Sequence, residues 1–251
     1  PPPPPPLTVF LSIPRPPTST LRSTLFPYTT LFRSNTLRAQ TGLDLSAGTG
    51  LTAGSLTSVT SSVDVESLAG AVTINGATAR TSFSARSGDA LTIRSFNVTM
   101  GNASLQSGGS TLLSAGQASG DITITSGSHA SLGNLTTSSG GKISATSSEG
   151  GLAFGTLRAG KGITLDAATA WSGGNAITGS GLYVGSGQVD VIARFGNINI
   201  GTLSITIPLG ISTLTTQAGS IRLGQIAGFV PSRNQLVVEV AGGTRIVPAG
   251  Y

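Results

Sequence analysis

Few side chains in this 251-residue chain could support acid–base, nucleophilic or metal chemistry. There is no cysteine and one histidine, His129, which excludes a disulfide framework, a thiolate nucleophile and a multi-histidine metal site within one chain. His129 follows a Ser-rich turn, but no Gly-x-Ser-x-Gly motif is present, and geometry rather than composition defines a catalytic triad. We therefore predict an exposed turn histidine and no catalytic residue, no cofactor-binding residue and no metal site.

The nine acidic residues are isolated along the chain, apart from Asp64 and Glu66, which would share one face of a strand. Because glycan-cleaving enzymes use paired carboxylates, a β-helical polysaccharide-degrading enzyme is an alternative that the tertiary structure can test. Such an enzyme would require two of the acids Asp121, Glu149 and Asp166 to meet in a groove. The groove would also contain Lys142 or Lys161. We expect solvated, outward-facing acids and no enzymatic activity.

The sequence also lacks the motifs and charge clusters of a phosphate-binding site. Gly160-Lys161-Gly162 has neither Walker spacing nor a Ser or Thr after the lysine. The net charge is +5, but three of the 14 basic residues lie in the first 34 positions and the others are scattered singly. The sequence therefore predicts neither nucleic-acid binding nor a small-molecule substrate.

Short runs of alternating apolar and polar residues fill the chain after residue 34, as in Ile122-Thr-Ile124 and Val189-Asp-Val191. A period of two residues indicates strands. An apolar-Gly-polar-apolar phrase recurs at Leu132, Phe154, Ile200 and Leu223, with spacings of one or two periods and one degenerate copy near Ile177. Repeats of this length stack only on their neighbours, so we predict an all-β parallel β-solenoid of about ten coils, each of about 20–23 residues.

The alternation also predicts which side chains point into the solenoid. The predicted inward residues are Ile122, Ile124, Leu132, Leu135, Ile143, Phe154, Leu157, Ile163, Leu165, Val189, Val191, Ile198, Ile200, Leu203, Leu223 and Ile226. Intervening Thr, Ser, Asp and Lys residues are expected to face water.

Two segments interrupt the repeat. Residues 168–187 contain Trp171 and Tyr183 among glycines and are expected to form an expanded coil, in which these two aromatics are the candidate surface-contact residues. Filling of the wider coil by the same rings is the alternative. Residues 205–209 add further length, and Pro208 cannot donate to a strand ladder, which predicts an edge or bend there.

The two ends differ from the repeat. Ten of the 13 prolines lie in residues 1–34, and the run from Arg22 to Ser34 resembles the in-frame translation of a widely used short-read sequencing adapter. We therefore expect residues 1–34 to be a disordered assembly artefact, with a natural Pro-rich linker as the alternative. The solenoid is predicted over residues 35–228, and residues 229–251 are predicted to form a terminal hairpin or the start of the next region.

The Gly/Ser/Thr/Ala-rich, cysteine-free repeat of about residues 41–228, with phrases such as Gly-Asp-Ile-Thr-Ile124 and Phe154-Gly-Thr-Leu, resembles the stalk of filamentous haemagglutinin-like adhesins. These are exoproteins of two-partner secretion systems, and autotransporter passengers share the pattern. The resemblance implies a right-handed β-helix, export through an outer-membrane partner, location outside the cell or on its surface, and adhesion to host cells, abiotic surfaces or glycans. No residue of a family site can be carried over, and the family's amino-terminal secretion domain is not recognised, as expected for an internal fragment.

Overall fold

The computed structural model describes residues 21–24, 31–170, 174–228, 236–240 and 243–247, all in strands or in the turns between them. The strands in chain order are β1 (Leu21–Thr24), β2 (Leu31–Ala39), β3 (Leu43–Ala47), β4 (Gly50–Ser58), β5 (Val63–Ser67), β6 (Val72–Ala79), β7 (Ser82–Ser87), β8 (Leu91–Val98), β9 (Asn102–Ser107), β10 (Thr111–Ala118), β11 (Ile122–Ser126), β12 (Ala130–Thr137), β13 (Lys142–Ser147), β14 (Leu152–Ala159), β15 (Gly162–Ala167), β16 (Asn175–Ala193), β17 (Asn197–Pro208), β18 (Ser212–Thr216), β19 (Ile221–Ala227), β20 (Leu236–Val240) and β21 (Gly243–Val247).

The strands form a parallel β-solenoid, as predicted. Each short strand pairs in parallel with the next short strand, for example β11 with β13, and each long strand pairs with the next long strand, for example β10 with β12. β16 serves both ladders, because its first part pairs with β14 and its last part with β15. Coils of about 20 residues stack into about 10 turns, which confirms the predicted fold class and repeat length.

Each long strand contains a bend. In β12, Leu132 and Leu135 are buried on either side of Gly133 and Asn134, so two consecutive residues point outwards. Strict alternation along a straight strand would bury one of that pair. The recurring apolar-Gly-polar-apolar phrase therefore marks this bend, and we call the sheet of long strands the bent sheet and the other the short-strand sheet.

The core runs along the axis as one continuous cluster of buried residues. Of the predicted inward residues, those from Ile122 to Leu203 are all buried, which confirms the predicted register in this part of the chain. Leu223 and Ile226 are only partly buried. Both lie on β19, which pairs with β17 on one side and with no other strand among the described residues.

The degenerate repeat near Ile177 has a steric explanation. Gly179 occupies the ladder position of Phe154 in the coil below, and a Cβ atom at Gly179 would overlap the Phe154 ring. The same exchange occurs at Phe96 and Gly116. A large ring in one coil is therefore accommodated by a glycine in the next, which keeps the packing close while it obscures the repeat.

A buried column of serines lies at the ends of five successive short strands, β5, β7, β9, β11 and β13. Ser67, Ser87, Ser107, Ser126 and Ser147 stack in register and are all buried, although serines were expected to face water. The hydroxyl groups of the last four donate to turn carbonyls, as Ser126 Oγ does to Gly109 O (2.9 Å) and His129 O (3.0 Å), whereas Ser67 Oγ accepts from the backbone N–H of Gly70. Buried hydroxyls need such partners, so the inward serines satisfy turn carbonyl groups inside the solenoid.

Both predicted interruptions are present. Phe154 pairs with Gly179, 25 positions later, whereas Leu113 pairs with Leu132, 19 positions later, so the coil that contains residues 168–187 is expanded. Pro208 ends β17 beside a turn, as expected for a residue without a backbone N–H group.

Strand pairing extends beyond the predicted solenoid boundary at residue 35, because β2 begins at Leu31 and pairs in parallel with β4, and β1 pairs with β3; the domain division stays a prediction. Residues 1–20 and 25–30 lie outside the described residues. At the other end, β20 and β21 form an antiparallel pair at the predicted hairpin, while β20 also extends the short-strand sheet by pairing with β18.

Candidate functional site

The His129 ring makes a hydrogen bond that joins two consecutive coils. The ring is half-buried rather than exposed as predicted, because it lies between consecutive coils. Its Nδ1 atom accepts a hydrogen bond from the backbone N–H of Gly151 (3.1 Å). Ser126 donates to the backbone oxygen of His129 (3.0 Å) and not to the ring. The pair therefore lacks the hydroxyl-to-imidazole hydrogen bond of a serine nucleophile and its base.

The acids Asp64 and Glu66 share one outer face, as predicted, and the register adds Asp44 beside Asp64. Asp64 accepts a hydrogen bond from Ser62 (2.7 Å), and Glu66 lies 3.8 Å from Arg86 in an exposed ion pair. Exposed pairs of this kind contribute about 1 kcal/mol or less. Within the part of the chain that the structure describes, no three His, Cys, Asp or Glu residues are arranged to hold a metal ion.

The carboxylates required for the polysaccharide-degrading alternative do not meet beside the lysines. Asp121 accepts a hydrogen bond from the backbone N–H of Lys142 (2.8 Å). Asp166 lies two coils further and four strand positions along, a Cα separation of about 16 Å from standard strand dimensions, and Arg194 holds its carboxylate at 3.2 Å. Glu149 lies in the turn at the far end of β13 from Lys142. The absence of enzymatic activity stays a prediction.

A shallow depression does form beside the two lysines. It lies where the bent sheet meets the short-strand sheet and is lined by Lys142, Lys161, Gly187, Gln188 and Asp190, among others. Both oxygens of Asp190 are engaged, since they accept from Gln188 Nε2 (2.7 Å) and Thr213 Oγ1 (2.8 Å). Neither lysine forms an ion pair with any residue that the structure describes, so two unpaired ammonium groups border the depression.

Of the two candidate surface-contact aromatics, only Tyr183 lies among the described residues. Trp171 lies outside the described residues, so its role stays a prediction. Tyr183 is half-buried on the outer face of β16, and the guanidinium carbon of Arg158 lies 4.2 Å from its ring centroid. Arg158 and Tyr183 are direct ladder partners in adjacent coils. A cation–π contact of this kind anchors Tyr183 to the coil below, while part of the ring remains available to solvent.

The most exposed apolar residues near this edge were not singled out from the sequence. Ile207, Leu209 and Ile211 are 56%, 71% and 53% exposed. Gly187 and Asp190 are three positions apart, but their ladder partners Pro208 and Thr213 are five apart. The turn after β17 therefore contains two additional residues and protrudes. The signal was present in the extra length around Pro208, but periodicity alone cannot tell a protruding turn from a longer buried strand.

Among the residues described, there is no helical segment with the length and apolar character needed to cross a bilayer. Comparisons with known proteins give no identification: no protein-family profile, curated protein or solved structure matches this chain.

Proposed function

We propose that this chain is a structural and adhesive segment of the stalk of a large, secreted bacterial surface adhesin. The observation that carries the proposal is the continuity of the axial ladders. From β2 to β19 every long strand pairs with the next one along the axis. About 10 turns at about 4.8 Å each give a rod of about 50 Å.

Such a rod suits the task of holding a binding region away from a cell. Each coil contributes its own stabilising contacts to its neighbours, so length can be added without a new core. The absence of cysteine is compatible with passage through an oxidising compartment without disulfide locking. We propose host-cell or abiotic surfaces, including their glycans, as partners, and an outer-membrane secretion partner for the full-length protein.

The test uses the full-length gene expressed in the bacterium from which it comes. Removal of residues 91–110 joins Ala90 to Thr111, which takes the ladder position of Leu91, so one whole coil is lost in register. A stalk should remain exported, and the bacteria should still adhere to host cells or abiotic surfaces. Loss of adhesion with export intact would contradict a spacer role for that coil.

A second deletion separates spacing from direct binding. Removal of residues 168–193 takes away the Trp171 and Tyr183 region as one whole coil, because Ala193 is the ladder partner of Ala167, and loss of adhesion with export intact would favour direct binding there. The coil deletion above is the control for shortening alone. A full-length gene without a secretion domain or an outer-membrane partner would overturn the proposal, and release of reducing ends from an acidic polysaccharide by the purified chain would favour the enzyme.

A further inference from the structure

We propose that one edge of the solenoid binds the surface of an anionic lipid bilayer directly. The site, here called the edge patch, consists of Lys142, Lys161, Ile207, Leu209 and Ile211. This proposal concerns the isolated chain and does not depend on a stalk function, because a spacer needs no affinity of its own.

The register brings these residues to one edge. Lys142, Gly162 and Gln188 occupy one ladder position in successive coils. In the adjacent turn, the N–H of Lys161 donates to Gly141 O (2.9 Å), and the N–H of Leu209 donates to Gly187 O (3.0 Å). Lys161 and Gly187 each precede a residue of the pair Gly162 and Gln188, so Gly187 lies one coil beyond Lys161. Leu209 lies one coil further, about 10 Å from Lys161 along the axis.

The apolar half of the edge patch protrudes because of the two-residue insertion before Thr213. Ile207, Leu209 and Ile211 are each more than half exposed. Single exposed aliphatic residues are ordinary on protein surfaces, but adjacent ones indicate a contact surface. Three large aliphatic side chains within five residues, at the end of β17 and in the turn that follows it, form a wedge that could enter the boundary between lipid headgroups and acyl chains.

The charged half selects an anionic surface. Lys142 and Lys161 are exposed and unpaired among the described residues. Their two positive charges outnumber the single negative charge of Asp190 in the lining of the depression, which its hydrogen bonds from the neutral Gln188 and Thr213 side chains do not cancel. Basic residues close to a bilayer are attracted by anionic headgroups. A soluble acidic polysaccharide would satisfy the lysines, but it offers no apolar medium for Leu209, and this difference favours lipid as the occupant.

The experiment is co-sedimentation of the purified 251-residue chain with vesicles of phosphatidylcholine alone or mixed with phosphatidylglycerol. We expect about tenfold stronger partitioning into the anionic vesicles, with a decrease as salt is raised. Lys142→Glu combined with Lys161→Glu should lower this partitioning about tenfold. Ile207→Ser combined with Leu209→Ser should lower it by a similar factor, because about two buried aliphatic contacts are lost.

Matched controls are available on the same chain. Leu68→Ser removes an aliphatic side chain that is 55% exposed in a different turn, and Arg94→Glu reverses an exposed charge on a distant coil; both should leave vesicle binding unchanged. Circular dichroism checks that each variant is folded. Equal binding to both vesicles would overturn the proposal. So would binding of polygalacturonate that depends on the lysines while vesicle binding is insensitive to Leu209.

Discussion

Single side chains in this solenoid are governed by whether they point into the core or out to solvent. Ile124 is 1% exposed, whereas its neighbour Thr123 lies on the outer face between Ser104 and Ser144. A strand alternates faces at every residue, so the same substitution at two adjacent positions meets opposite environments.

Ile124→Asp is therefore expected to lower the free energy of unfolding by about 3 kcal/mol or more, because it buries a carboxylate without a partner. Thr123→Asp should change it by no more than about 0.5 kcal/mol. Urea titration followed by circular dichroism measures both. The reverse order would show that the inward register is off by one residue.

The Phe154 ring and Gly179 provide a second prediction at this scale. Phe154→Ala should cost about 3–5 kcal/mol through the cavity it leaves. Gly179→Ala should cost about 1–3 kcal/mol, because the added Cβ overlaps the ring. The double variant should cost at least about 1 kcal/mol less than the sum, since removal of the ring at position 154 makes room for the new methyl group at position 179.

Gly140→Ala serves as the control, because a Cβ atom there meets no other atom within 4 Å. Strict additivity of Phe154→Ala and Gly179→Ala in thermal or urea unfolding would contradict the steric explanation of the degenerate repeat.

At the scale of the element, the buried serine column forms hydrogen bonds from inside the solenoid with the turns that follow five successive short strands, β5 to β13. These five short strands therefore end in an inward hydroxyl where a simple alternation of apolar residues would predict another aliphatic side chain. In β11 the inward sequence is Ile122, Ile124 and Ser126, all buried.

Ser126→Ala is expected to reduce the free energy of unfolding by about 1–2 kcal/mol, because the hydrogen bonds to Gly109 O and His129 O are lost. Ser104→Ala is the matched control: Ser104 is exposed on the outer face of β9, and its change should fall within about 0.5 kcal/mol. Equal effects of the two substitutions would show that the serine column does not stabilise the turns.

At the scale of the whole molecule, stability is shared between neighbouring coils, so complete coils should be removable. Leu91, Thr111 and Ala130 occupy one ladder position in successive coils. Deletion of residues 91–129 should therefore remove two coils in register, shorten the rod by about 10 Å and retain cooperative unfolding.

Small-angle X-ray scattering measures the length of this variant and thermal melting its cooperativity. The control deletion, residues 91–120, joins Ala90 to Asp121 and places the short strand β11 where a long strand is required, so it should abolish the cooperative transition. If both deletions behave alike, the axial register is not what holds the molecule together.

The origin of residues 22–34 is a separate question at this scale. Part of this run is paired in parallel with the solenoid, in β1 and at the start of β2. Parallel pairing uses backbone groups that every extended segment offers, so it does not distinguish a translated adapter from a natural linker. The adapter interpretation stays a prediction, and sequencing of the source locus decides it.

What the sequence by itself determined is the strand content, the coil length and the inward register, because period-two alternation and a repeat of about 20 residues are local properties. Only the tertiary structure decided the rest. It placed the serine column in the core, put Gly179 against the Phe154 ring in the next coil and exposed Leu209 two coils beyond Lys161. These outcomes depend on which residues of successive coils share a ladder position, and that depends on where an insertion is absorbed, as in the turn after β17, beyond which the ladder resumes at Thr213. Spacing between distant residues is set by this accumulated register, which no single repeat contains.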